Sequence, residues 1–227
     1  MELNFYYAAY SYFNEYWRAD KPCIEALEDG ADSKATCVAL SEIAKIYNIN
    51  RNMATNKEEE CRLEVARSLL MDLPKPVTDK DVSKVVGEFA EALGKAYPRI
   101  EKKTGKLVKP ILLSAASKFL WMRFQNPIVM YDRYAFAWVK RNSLPTNAMS
   151  YSQYLDAWRK EFFKHQTKVK EATRDFTIIK PFTLAFKEDG DKIQKLVDKL
   201  WFQERVFDHA IIDDQQQYEK MENSTKS

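Results

Sequence analysis

The chain has 227 residues and a formal net charge of +3, with only five glycines. That length suits one sizeable domain or two small lobes around a shared cleft. With no GxGxxG and no GxxxxGK(S/T) in it, the sequence excludes nucleotide-cofactor folds that cradle phosphate on glycine-rich loops.

The elements predicted from apolar spacing are helical almost throughout. Residues 3–18 carry Phe5, Tyr6, Tyr10, Phe13 and Trp17 in helical register, the pattern of a buried stripe, with base stacking as its other use. Helices follow over 33–47 and 57–71, and Leu73-Pro-Lys-Pro76 breaks the run. Thr78-Asp-Lys-Asp81 reads as an N-cap with a short capping-box variant, opening a helix to about residue 96 that Tyr97-Pro98 ends. A basic loop over 101–110 has Gly105 at its turn, and a helix over 111–124 stops at Asn126-Pro127. Asp132 is placed to cap the next helix, 133–141, by accepting hydrogen bonds from exposed amides. After the break at Leu144-Pro145, Ser150 or Ser152 caps a long helix to about residue 173. Residues 176–186 are less regular, with room for a short strand, and a last helix runs over 191–212. The polar stretch 213–227 reads as a disordered tail. The expected fold class is all-α with at most a short strand or two. It forms one two-lobed helical domain over 1–212, with a divergent helix–hairpin–helix element near 98–134.

Cys23, Cys37 and Cys61 lack CxxC spacing, and neither His165 nor His209 has partners at ligand spacing. Those patterns speak against a disulfide framework and against a metal site, and they suit a reducing cytosol. The first residues lack the features of a signal peptide, and no apolar run is long enough to span a membrane. The expected location is therefore cytoplasmic, associated with the nucleoid in a prokaryote.

Charge is segregated. Between Lys95 and Arg141 eleven basic residues face two acidic ones, Glu101 and Asp132. The local charge is +9, which leaves −6 for the remainder of a +3 chain. Such a face suits a polyanion. Lys102, Lys103, Lys106, Lys109, Ser114 and Arg133 are the candidate contacts to a nucleic-acid backbone.

Lys118 stands within the apolar run Ser114-Ala-Ala-Ser-Lys-Phe-Leu-Trp-Met-Arg-Phe124. Burial strips an ammonium of its hydration and favours the neutral, nucleophilic amine. Asp132 begins the following helix, where the exposed amides favour its charged form. An amine that attacks an electron-poor carbon and a carboxylate that steadies positive charge on a sugar ring are what N-glycosidic cleavage needs. Trp121, Tyr131, Tyr134 and Trp138 lie around the pair in sequence and are candidates for the walls of a base pocket.

The strings Ser117-Lys118-Phe-Leu and Pro127-Ile-Val-Met-Tyr-Asp132-Arg133 resemble the helix–hairpin–helix DNA glycosylases, in particular the 8-oxoguanine-type and archaeal branches. That resemblance implies Lys118 as a Schiff-base nucleophile, Asp132 as the catalytic carboxylate and no cofactor, with an accompanying lyase step as an option. The implied partner is double-stranded DNA with an extruded base, bound by a monomer. Oxidised guanine is the implied substrate, and a hypermodified base of viral DNA in a defence role is the other class. The family's hairpin usually carries glycines whose amides hold a phosphate. Here the segment reads Lys109-Pro-Ile-Leu-Leu-Ser114, so lysine charge takes over that task.

Two other readings stand beside this one. A helical DNA-binding module would use the basic 95–141 face without chemistry. A ribonuclease would use Arg159 and His165, whose spacing is similar to that of HEPN-type enzymes, although it also suits a solvated polar face.

Overall fold

The helical spacing carries through to the structure, a computed structural model that describes residues 2–28, 32–49, 53, 63–74, 77–101, 104–143, 150–174 and 176–225. The chain divides into two compact units. One combines Met1–Arg18 with Asp132–Ser227; the other is Ala19–Tyr131.

The unit made from the two end segments begins with α1 (Phe5–Glu15), whose first turn is closed by the Asn4 side chain accepting the Tyr7 amide at 3.0 Å. It continues with α7 (Arg133–Ser143), α8 (Tyr151–Thr173), the short α9 (Phe176–Ile179), a 3₁₀ turn (Lys180–Phe182), α10 (Gly190–Val197) and α11 (Leu200–Ser224). Helix α11 packs against α1, α7 and α8. Tyr12, Phe13, Trp158, Phe162, Phe202 and Phe207 fill the space between them, and Ala8 and Ala9 let α1 approach. Of the expected stripe, Phe5 and Phe13 are buried and Tyr12 joins them, whereas Tyr6 and Tyr10 are 68% and 42% exposed.

Three further expectations change in this unit. Residues 176–186 hold no strand; their described part is a helical turn followed by the 3₁₀ turn. The expected last helix is two, α10 and α11, separated at Asp198 and Lys199. The stretch from Asp213 is helix to Ser224 instead of a disordered tail, because Asp214 and Gln215 are buried and Asp214 accepts the Trp138 indole N–H at 3.0 Å. Ser150 does cap α8, with a reciprocal box through Gln153, a device worth about 1 kcal/mol.

The other unit holds α2 (Lys21–Ala26), α3 (Ser33–Ile46), α4 (Glu64–Met71), α5 (Val82–Ala96), a two-stranded hairpin of β1 (Arg99–Ile100) and β2 (Leu107–Val108), and α6 (Leu113–Phe124). A π-helical segment, Tyr16–Asp20, leads from α1 into α2. Helix α6 packs against α5, α2 and α4. The α5 contact depends on Gly94: a Cβ there would lie 1.7 Å from the Pro110 carbonyl oxygen. The basic loop is the hairpin itself, with Gly105 at φ +65°, a value that glycine adopts without strain. Thr78 does not cap α5. Its hydroxyl bonds the Asp81 carboxylate at 2.6 Å, and the helix starts at Val82.

Residues 57–62 of the expected third helix, the break at 144–145, Cys61, Lys102 and Lys103 lie outside the described residues. Cys37 is disulfide-bonded, whereas Cys23 is a buried free thiol. The expectation of no disulfide rested on local cysteine spacing, and a pairing between distant parts of the chain leaves no such mark. Among the described residues no helix is long and apolar enough to cross a membrane, and no cluster of three or more His, Cys, Asp or Glu side chains could hold a metal.

Candidate functional site

Lys118 sits in the middle of α6, a helix buried from Ala115 through Met122. Its side chain is carried inward with its neighbours and is 5% exposed. The Nζ atom lies 3.4 Å from the carbonyl oxygen of Tyr47 and 5.8 Å from the centre of that ring. Tyr47 closes the C-terminus of α3. A helix leaves its last carbonyls unpaired and partly negative there, which favours a cation.

The residue before Lys118 contributes a contact that sequence reasoning missed. Ser117 is 0% exposed. Its hydroxyl donates to the Ser114 carbonyl at 3.3 Å and accepts the Tyr131 amide at 2.8 Å. The segment after α6 is thereby fastened to the turn that carries Lys118. Gln125, at φ +52°, ends α6, and the chain passes through a cis Asn126-Pro127 bond before reaching Tyr131.

Asp132 follows Tyr131 and belongs to the unit of the two end segments. Its Oδ1 accepts the Tyr134 amide at 2.9 Å and its carbonyl accepts the Phe136 amide at 2.8 Å, so it caps α7 as the sequence predicts. The cap holds the carboxylate in a fixed rotamer at the positive end of the helix.

The four aromatic candidates separate. Trp121 is 1% exposed and Trp138 5%, the latter fixed by its bond to Asp214, so both rings are core and leave no face for a base. Tyr134 is half-buried, with the Arg133 guanidinium over its ring at 4.2 Å. Tyr131 is half-buried, and burial pushes its phenol above the usual tyrosine range. Tyr131 is the aromatic candidate whose backbone is tied to the Lys118 turn.

The backbone-contact candidates are spread over both units. Lys106 and Lys109 are exposed on the hairpin arm, near Lys95 at the end of α5 and Arg99 on β1. Ser114 is half-buried in the first turn of α6, and Arg133 is exposed on α7. Ile100 and Leu107, a cross-strand pair, are exposed between these basic residues, as is Ile111. Leu112 gives its amide to the Ala90 carbonyl at 3.3 Å, and Pro110 has none to give. That hairpin arm therefore offers charge and apolar surface in place of an amide nest.

Arg159 and His165 lie on α8, where the His165 ring packs 5.5 Å from Phe5 and stacks on Phe207 at 5.9 Å. Burial holds its pKa below the usual histidine value, with Glu161 opposing. The imidazole is part of an aromatic cluster and not of a solvated polar face. Compared with known proteins, the chain matches no family model, no curated relative and no solved structure.

Proposed function

We propose that the chain is a DNA glycosylase that cleaves the N-glycosidic bond of a damaged or modified base, with Lys118 as nucleophile and Asp132 as the supporting carboxylate. The observation that carries this reading is the fastening of the Tyr131 amide to Ser117, 14 positions earlier. It ties the residue that leads into a capped aspartate to the turn of a buried lysine.

The Lys118 amine attacks C1′ of the deoxyribose as the C1′–N bond breaks. The bonding electrons leave with the base, which takes up a proton. The Asp132 carboxylate stabilises the positive charge that builds on the sugar during this exchange. The lysine nitrogen, now bonded to C1′, loses a proton, and the C1′–O4′ bond breaks with its electrons and a proton going to O4′. The resulting Schiff base is reduced by borohydride to a stable amine. Among the aromatic candidates, Tyr131 is the residue available to stack on an extruded base. Lys95, Arg99, Lys106 and Lys109 supply contacts to the phosphates.

Borohydride reduction in the presence of lesion-containing or base-modified duplexes tests this. A covalent protein–DNA adduct is expected with wild type and absent with Lys118→Gln. Excision without any trapped species would replace the lysine by a water nucleophile directed by Asp132. The exposed basic hairpin arm favours one second reading, a DNA-binding module without chemistry. Binding that falls steeply with salt and survives Lys118→Gln, with no excision over a panel of modified bases, would establish it.

A further inference from the structure

A chain of contacts that starts at the Lys118 ammonium links three separate segments. Its partner Tyr47 lies 71 positions away, and the Tyr47 hydroxyl donates in turn to Asp20 Oδ1 at 2.8 Å, 27 positions further back. Asp20 is 0% exposed. It ends the π-helical segment Tyr16–Asp20, and its side chain makes no capping bond to α2. A π turn adds a residue to the helical repeat and rotates the chain beyond it, a distortion that recurs at functional sites. The register of Tyr16–Asp20 directs the Asp20 carboxylate to the phenol of Tyr47.

We infer that the Asp20–Tyr47 pair is a positioning device for Lys118. Tyr47 presents two groups to the same ammonium: the last carbonyl of α3 and the face of its ring. The bond to Asp20 fixes the ring, and through the ring it fixes the carbonyl. Burial, and after it the neighbouring Asp20, push the Cys23 thiol well above its ordinary range. The catalytic consequence rests on the glycosylase reading, but the geometry does not. If the amine must approach one carbon along one line, a lysine with four rotatable bonds gains from such an anchor.

The test has a DNA-free arm and a DNA arm. In the first, the full chain is treated with formaldehyde and cyanoborohydride, and methylation at each lysine is followed by mass spectrometry. Tyr47→Phe keeps the ring and removes the anchor, and it is expected to raise Lys118 labelling relative to exposed Lys106 by about fivefold, the scale of one hydrogen bond. Asp20→Leu is expected to do the same. Asp20→Asn keeps an acceptor for the phenol and is expected to stay near wild type. An unchanged Lys118-to-Lys106 ratio in folded Tyr47→Phe and in folded Asp20→Leu overturns the inference.

In the DNA arm, borohydride trapping in Tyr47→Phe is expected to slow by about tenfold at unchanged duplex affinity. A trapping rate equal to wild type would also overturn the inference. Should wild type trap nothing while Lys118 labelling still responds to Tyr47→Phe, the glycosylase reading fails and the positioning device stands.

Discussion

The two units bury charge in opposite ways. In the unit of the end segments, Arg205 and Asp208 are 4% and 2% exposed and pair with each other one turn apart on α11. In the other unit, Lys118 is equally buried, and it meets a backbone carbonyl and a ring face. A guanidinium and a carboxylate one turn apart on a helix offset each other's charge locally. An ammonium at a helix C-terminus meets the partial negative charge of backbone carbonyls instead of a side-chain acid on its own helix. Equal burial therefore goes with different surroundings, a carboxylate in one place and a helix-end carbonyl with a ring face in the other.

The comparison is sharpest if the two sites are broken separately. Lys118→Gln is expected to abolish the trapped adduct and leave the urea midpoint nearly unchanged. Asp208→Asn strands the Arg205 guanidinium in the core and is expected to cost about 3–5 kcal/mol in urea unfolding. Its folded fraction should still trap DNA. If the two variants exchanged these phenotypes, the distinction between the units would be lost.

Gly94→Ala is expected to cost about 3 kcal/mol by the same measurement, because the new methyl meets the Pro110 backbone, which has no flexible end to move. Ser117→Ala removes the acceptor of the Tyr131 amide. It is expected to cost about 1–2 kcal/mol and to slow trapping at unchanged duplex affinity.

The smallest effect concerns His165. Burial holds its pKa below the ordinary histidine value of about 6.5. The folded state therefore takes up that proton later than the unfolded chain as pH falls. Stability from the neutral imidazole is fully present above the ordinary value and is lost as pH falls through the lowered one. His165→Phe is expected to reduce the fall in Tm between pH 7 and pH 5, and an unchanged fall would remove His165 as its source.

What the sequence made legible was local. A cap at Ser150 or Ser152 and the Asp132 cap depend on residues two or three positions away, and Ser150 and Asp132 do cap their helices. The apolar surroundings of Lys118 likewise predict its burial. Tyr47, which touches Lys118, and Asp20, which holds Tyr47, were not legible as its surroundings, because they come together only through tertiary packing. Ser117 is the sequence neighbour of Lys118, yet its use depends on an amide 14 positions later. The π-helical segment has no periodic signature in five residues. The polar composition after Asp213 suggested disorder, and burial of Asp214 against Trp138 overrides it. Two tryptophans chosen as pocket walls turned out to be core, since helical spacing does not distinguish an inward face from a cleft.

The division of the chain also has a consequence for its synthesis. Helix α1 packs against α8 and α11, so the apolar face of Phe5, Ala8, Ala9, Tyr12 and Phe13 must wait for helices that are made much later. The unit Ala19–Tyr131 has left the ribosome long before α11 is complete. At about 5–20 residues per second, α1 spends on the order of ten seconds as an exposed aromatic helix on the nascent chain. Whatever shields that helix during translation must act until its partner helices are made.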